Sequence, residues 1–251
     1  MHFVPEAEAA ALRDRFNAVL ARLERAATAA GRNMADIRLI AISKTHPAPM
    51  LAELVMHWQA GTPTFGENYV QEAVEKQTQV TSLLVKTLNG RPMPEWHFTG
   101  HVQSRKAKEV TGRFSLIHTL DSEKLADQIR KTVEAENLAP QAVLIQVNIG
   151  EEDQKSGIPA ADAERFLTAV RQIPQVRIEG LMCLPPFLEA AEASRPYFSR
   201  MRELRDALRQ TTGLLLPHLS MGMSHDCEVA VSEGATMVRI GTDIFGPRVY
   251  R

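Results

Sequence analysis

The chain has 251 residues, with 29 basic against 30 acidic, a formal net charge of -1 and 44% apolar residues, the profile of an ordinary globular protein. Near-neutral charge without a block of like charges excludes the electrostatic footprint of a general nucleic-acid binder. A long uncharged stretch, Thr211 to Ser224, is interrupted by Thr, Ser, His, Pro and Gly, well short of the roughly 20 apolar residues that a membrane span needs.

The opening MHFVPEAEAA is acidic and has the form of neither a secretory signal nor a transit peptide. Two cysteines, Cys183 and Cys227, make neither a disulfide framework nor a zinc site by themselves, so a reducing cytoplasm is the expected compartment. Size scaling allows roughly 70% of the chain's surface to be buried, enough for one large α/β domain or two small ones.

In chain order, Leu12, Phe16, Val19, Leu20 and Leu23 recur at helical spacing and predict an amphipathic helix from Glu6 to Gly31. The run IRLIAIS, Ile37 to Ser43, predicts a strand buried on both faces. A helix from Pro49 to Gln59, a short strand near Thr64 and Phe65, and a long helix from Tyr69 to Leu84 follow. Further strands are predicted at Glu95 to Phe98, Ser115 to His118, Ala142 to Asn148, Val176 to Leu181, Pro217 to Ser220 and Thr236 to Ile240. Helices at Lys124 to Ala135, Ala161 to Arg171, Ala190 to Gln210 and His225 to Ser232 separate them. Eight strands alternating with helices, without hairpins or internal repeats, predict an α/β fold with a parallel sheet. Eight units in this length fit a single closed (β/α)8 TIM-type barrel preceded by an extra N-terminal helix, with an open doubly wound sheet as the alternative. The second and seventh strands have the fewest apolar residues, and Thr87 to Pro94 is the most linker-like segment.

A barrel of this type works at the C-terminal ends of its strands. Polar residues gather there: Ser43-Lys44-Thr45, Gly66-Glu67-Asn68, Thr99-Gly100-His101, His118-Thr119 with Asp121, Asn148 with Lys155-Ser156-Gly157, Ser220 to Ser224, and Arg239 before Gly241-Thr242. Lys44 continues the strand face of Ile40 and Ile42, so its amine can point inward, lose hydration and act as a Schiff-base nucleophile. The other reading is a strand-end lysine that reaches to solvent. Gly241-Thr242, with the hydroxyls of SMGMS, reads either as an anion site or as turn residues chosen for backbone freedom. Arg239 can donate to a phosphate or a ring nitrogen, or sit in a structural ion pair. His97 and His101, on a strand and its following loop, do not share a face, which argues against zinc. No Ser-His-Asp signature, dinucleotide fingerprint or Walker loop is present. Met182, Met201, Met221, Met223 and Met237 read as core filler.

The segments AISKTHP, FGENYVQEA, WHFTGHVQSRK, IHTLDS, LIQVNIGEEDQKSGI, EGLM, LSMGMSHD and MVRIGTDIFGPR together resemble the pyridoxal phosphate homeostasis protein family, in order and over nearly the whole chain. The resemblance implies one barrel similar to the N-terminal domain of alanine racemase, spanning the chain and holding pyridoxal 5'-phosphate (PLP). It implies that Lys44 carries the Schiff base, that Ser220, Gly241 and Thr242 hold the phosphate with Ser224, and that Arg239 faces the pyridine nitrogen. Asn68 and Lys155 match family positions near the cofactor mouth. Three departures stand out: His46 where the family has lysine after SKT, GHVQSRK with His101, Val102 and Arg105 in place of GPLQSNK, and Ser224-His225-Asp226 in place of SDD.

An arginine at the ring nitrogen disfavours ring protonation and so weakens carbanion stabilisation. Racemisation also needs an acid or base on each face of the substrate carbon, which related racemases draw from a C-terminal domain, and no such domain is expected after strand eight. The expectation is therefore a cytoplasmic, monomeric carrier that buffers PLP and releases it to apo-enzymes, with no nucleic-acid or membrane partner and no efficient turnover. The alternatives are a slow PLP-dependent amino-acid racemase and a cofactor-free class I aldolase using Lys44.

Overall fold

The computed structural model of the chain describes residues 2–59, 61–88, 90–152 and 154–247. Eight strands form the barrel: β1 (Arg38–Ile42), β2 (Thr64–Glu67), β3 (Glu95–Phe98), β4 (Leu116–Leu120), β5 (Gln141–Asn148), β6 (Val176–Cys183), β7 (His218–Ser220) and β8 (Met237–Ile240). Every neighbouring pair is parallel, and the ring closes where β8 pairs with β1, Leu39 opposite Val238 and Ile40 opposite Arg239. The closed barrel expected from the alternation is thus present, and the open sheet is not. A two-residue strand, Ile158–Pro159, adds to the upper end of β5.

The period of two along each strand sorts the side chains. Leu39 and Ala41 face the helices, whereas Ile40 joins Leu116, Ala142, Leu144, Met182 and Met237 in a separate apolar layer inside the barrel. The helices are α1 (Glu6–Ala29), α2 (Ala48–His57), α3 (Val70–Leu84), α4 (Ala107–Val110), α5 (Glu123–Ala135), α6 (Ala163–Val170), α7 (Arg195–Thr212), α8 (Cys227–Ser232) and α9 (Thr242–Phe245). The extra helix α1 buries Leu12, Phe16, Val19 and Leu23 and packs across α2, α8 and α9. Phe16 meets Trp58 with ring centroids 4.9 Å apart.

The weak second strand has a steric reason for its composition. A Cβ on Gly66 would lie 2.4 Å from Ile42 Cδ1, so the side chains of β1 fill the space that a larger residue on β2 would need. In β7, Ser220 faces the barrel interior and is fully buried, and its hydroxyl is kept there by hydrogen bonds to Arg239 and His118. Thr87 to Pro94 is the connection between α3 and β3: Leu88 is buried in the core with its N–H bonded to Leu84 O, Gly90 to Met93 are exposed, and Asn89 lies outside the described residues. Helix α8 starts at Cys227, two residues later than expected, and α4 was not foreseen.

Candidate functional site

At the C-terminal mouth of the barrel a cavity of about 420 Å³ is lined by Lys44, Asn68, Ser224, Arg239, Gly241 and Thr242 among others. Six of the seven cofactor residues expected from sequence are brought together there. A larger depression of about 760 Å³, lined by Glu8, His46, Glu72 and Glu75, lies on the outer side of the Lys44 turn. The mouth is the better site because the polar ends of several strands converge there beside an apolar side formed by Ile42 and Leu184 to Leu188, the usual anatomy of a small-molecule pocket.

Lys44 sits just past β1 in a four-residue turn closed by His46 N–H to Ser43 O, 3.1 Å. Its neighbours are pinned on the opposite side of the sheet. Ser43 N–H donates to Gly66 O at 3.0 Å, and Ser43 Oγ donates to Glu67 Oε1 at 2.6 Å. Thr45 N–H donates to Glu72 Oε1 at 2.5 Å. Thr45 has φ +69°, a left-handed conformation that costs a β-branched residue of order 1–3 kcal/mol and persists only where its surroundings fix it.

Arg239 rises from β8 beneath the cavity, its guanidinium buried. Nη1 donates to Ser220 Oγ at 2.6 Å and Nη2 to Cys183 O at 2.9 Å. Among the described residues no carboxylate lies within ion-pair distance of it, and burial lowers its pKa, with Cys183 and Asp226 opposing from further off. Ser220 Oγ also lies 2.9 Å from His118 Nδ1, and His118 Nε2 lies 3.0 Å from His97 Nδ1. Arginine only donates, so one polarity satisfies the whole chain. Ser220 accepts from Arg239 and donates to His118 Nδ1, and His118 Nε2–H donates to His97 Nδ1. Burial lowers the pKa of both histidines, His118 strongly with further repulsion from His97 and Arg239, in keeping with two neutral rings.

Of the seven, Ser220 alone is absent from the lining: its hydroxyl is engaged beneath the cavity by Arg239 and His118, while Ser224, Gly241 and Thr242 line the cavity at the ends of β7 and β8. There a Cβ on Gly241 would lie 3.2 Å from Ile42 O, so glycine lets the β8 end close against β1. Arg22 of α1 holds this end from behind: Nη2 donates to Ser224 O at 2.9 Å, Nε to Glu228 Oε1 at 2.6 Å, and Nη1 pairs with Asp243. Asn68 Oδ1 accepts from Thr99 Oγ1 at 2.8 Å. Lys155 does not line the cavity. Its Nζ pairs with Glu152 and donates to Pro185 O at 3.0 Å, steadying the loop that does.

That loop, Leu184 to Leu188, covers one side of the cavity and was not foreseen. Phe187 is 80% exposed and lies against His225, ring centroids 5.6 Å apart. His46 faces away from the cavity and stacks on Phe245 at 4.8 Å. His97 turns to His118 while His101 pairs with Asp121 at 3.4 Å, so the two do not converge on one point.

Comparison with known proteins agrees with this fold. Residues 13–249 match the alanine racemase N-terminal domain family. The chain belongs to that class of (β/α)8 barrels. It is 42% identical over 237 residues to the pyridoxal phosphate homeostasis protein of Aquifex aeolicus, covering 94% of this chain and 98% of that one. Among solved structures, an unknown protein from Bifidobacterium adolescentis superposes with a TM-score of 0.88 at 29% identity, covering 98% of each chain. PipY of Synechococcus elongatus PCC7942 with PLP bound gives 0.72 at 34% identity, covering 90% of this chain and 100% of that one. Within the class, the chain is a member of the pyridoxal phosphate homeostasis protein family.

Proposed function

We propose that the chain binds PLP at the barrel mouth, holds it through Lys44, and stores and delivers it in the cytoplasm as a single-domain monomer without efficient turnover. The observation that carries this reading is one cavity holding an amine donor, a buried guanidinium with no carboxylate partner among the described residues, and two hydroxyl residues beside a glycine that no side chain could replace without crowding Ile42. This donor set fits an anionic aldehyde. Ser224, Gly241 and Thr242 would take the phosphate, Arg239 would donate to the ring nitrogen, and Asn68 would face the ring edge. When bound, the cofactor supplies an aldehyde carbon and an aromatic ring that accepts electron density.

The residues here do less than an enzyme requires. The Lys44 amine adds to the aldehyde and water leaves, a reversible C=N bond that secures a reactive carbonyl. Arg239 keeps the ring nitrogen unprotonated, which limits carbanion stabilisation. A protein that captures the aldehyde but stabilises no carbanion is suited to holding and transfer, and the naming of the relatives as homeostasis proteins supports this over a racemase. No helix among the described residues is long and apolar enough to cross a membrane.

The test is borohydride reduction of the PLP-treated protein followed by peptide mapping. Reduced cofactor is expected on Lys44 and absent from Lys44→Ala. A reducible adduct retained in the same cavity of that variant would overturn the assignment, and solvent deuterium exchange at the α-carbon of amino acids at an enzymatic rate would overturn the carrier reading.

A further inference from the structure

Outside the barrel, between β2 and α3, lies a buried cation that the carrier reading does not use. The Lys76 ammonium donates to Ser43 O at 2.6 Å, to Glu67 Oε1 at 2.6 Å and to Glu72 Oε1 at 2.7 Å. An ammonium has three donors, and all three are engaged. Lys76 is 5% exposed and Glu67 fully buried. Burial raises the Glu67 pKa, with Lys76 as the chief opposing influence, and Glu67 Oε2 is buried with no hydrogen-bond partner. Such an arrangement is poor value as a stabilising ion pair, since desolvation of both charges offsets their attraction.

Its geometry has another use. The acceptors of Lys76 are the groups that hold the residues flanking Lys44: Glu67 Oε1 takes the Ser43 hydroxyl, Glu72 Oε1 takes the Thr45 amide, and Ser43 O, which closes the turn through His46 N–H, takes Lys76 itself. The three bonds converge on the turn from the helix side while the Lys44 side chain lines the cavity on the other. We propose that Lys76 is a positioning residue for the cofactor lysine: together with Glu67 and Glu72 it clamps the Ser43-Lys44-Thr45 turn in its left-handed form and so fixes where the Lys44 amine meets the aldehyde. The inference rests on the role proposed for Lys44 and adds to it a residue that makes no contact with the cavity.

Lys76→Met keeps the apolar stem and removes all three donors, and Glu67 can then take up a proton on its unpaired oxygen. Two readouts on the full chain test the clamp. In the absence of cofactor, hydrogen exchange at the Thr45 and His46 amides is expected to quicken at least tenfold, with that of α5 unchanged. On mixing with PLP, the Lys44 adduct is expected to form at least tenfold more slowly and its pH midpoint to move, while Lys76→Arg, which keeps the charge and donors, recovers much of the rate. If Lys76→Met does not fold, Glu67→Gln/Lys76→Met removes both charges together and gives the same readouts. Exchange at Thr45 and adduct formation both at the unmodified rate would overturn the clamp. Failure of the unmodified protein to form a Lys44 adduct would instead overturn the carrier reading beneath it, and with it the role given to Lys76.

Discussion

At the scale of single residues, the buried histidines make the stability of the barrel depend on pH. In the unfolded chain a histidine takes up a proton near its ordinary value of 6.5, whereas the folded barrel holds His118 neutral well below it. Stability is therefore present above the unfolded value and lost as the pH falls through it, because the unfolded state binds the extra proton. Glu67 and Asp121, whose pKa values are raised by burial, act in the opposite direction, so the contribution of His118 is read as a difference. Between about pH 7 and about pH 5.5, urea unfolding of His118→Gln should lose about 1.3 kcal/mol less than the unmodified protein. An equal loss in both would mean that His118 titrates normally in the barrel.

At the scale of elements, α1 is more than an added cover. Arg22 reaches from it to Ser224 O, Glu228 and Asp243, and Arg15 Nε donates to Ile244 O at 2.8 Å, so the first helix braces the Ser224 and Thr242 side of the cavity through α8 and α9. Arg22→Ala is expected to weaken PLP binding about tenfold, or about 1.4 kcal/mol, while the Lys44 adduct still forms at saturating cofactor. Titration by fluorescence or calorimetry reads this, and an unchanged dissociation constant would reduce α1 to packing. The apolar period of α1 is plain in the sequence, as are the strong strands, because both signals are local. The strut role of Arg22, the clamp at Lys76 and the support of Arg239 by Ser220 are not local. Each depends on residues of different elements: 19 positions apart for Ser220 and Arg239, 33 for Lys76 and Ser43, and 221 for Arg22 and Asp243. Lys44, Arg239 and Gly241-Thr242 could be found beforehand because a barrel gathers its strand ends at one face. The burial of the Ser220 hydroxyl beneath the cavity is not legible in the same way, because a position on that face says nothing of depth.

At the scale of the whole molecule, the large apolar side chains exposed among the described residues, Tyr69, Val85, Met93, Phe187, Leu215 and Met223, are spread over five connections between helices and strands, and only Phe187 and Met223 share the rim of the cavity. Stable dimers need a contiguous apolar patch with roughly 800 Å² buried per partner, and so sedimentation equilibrium with and without PLP is expected to give the mass of one chain. A mass of two chains across the micromolar range would contradict this.

The closed ring has a further consequence for a protein proposed to meet many others. Each barrel strand is laddered on both sides, β8 to β1 as well as β4 to β5, so the barrel offers no row of unpaired amides and carbonyls on which a foreign strand could template itself. An encounter would then be made through side chains and loops at the mouth and not by adding a strand to the barrel.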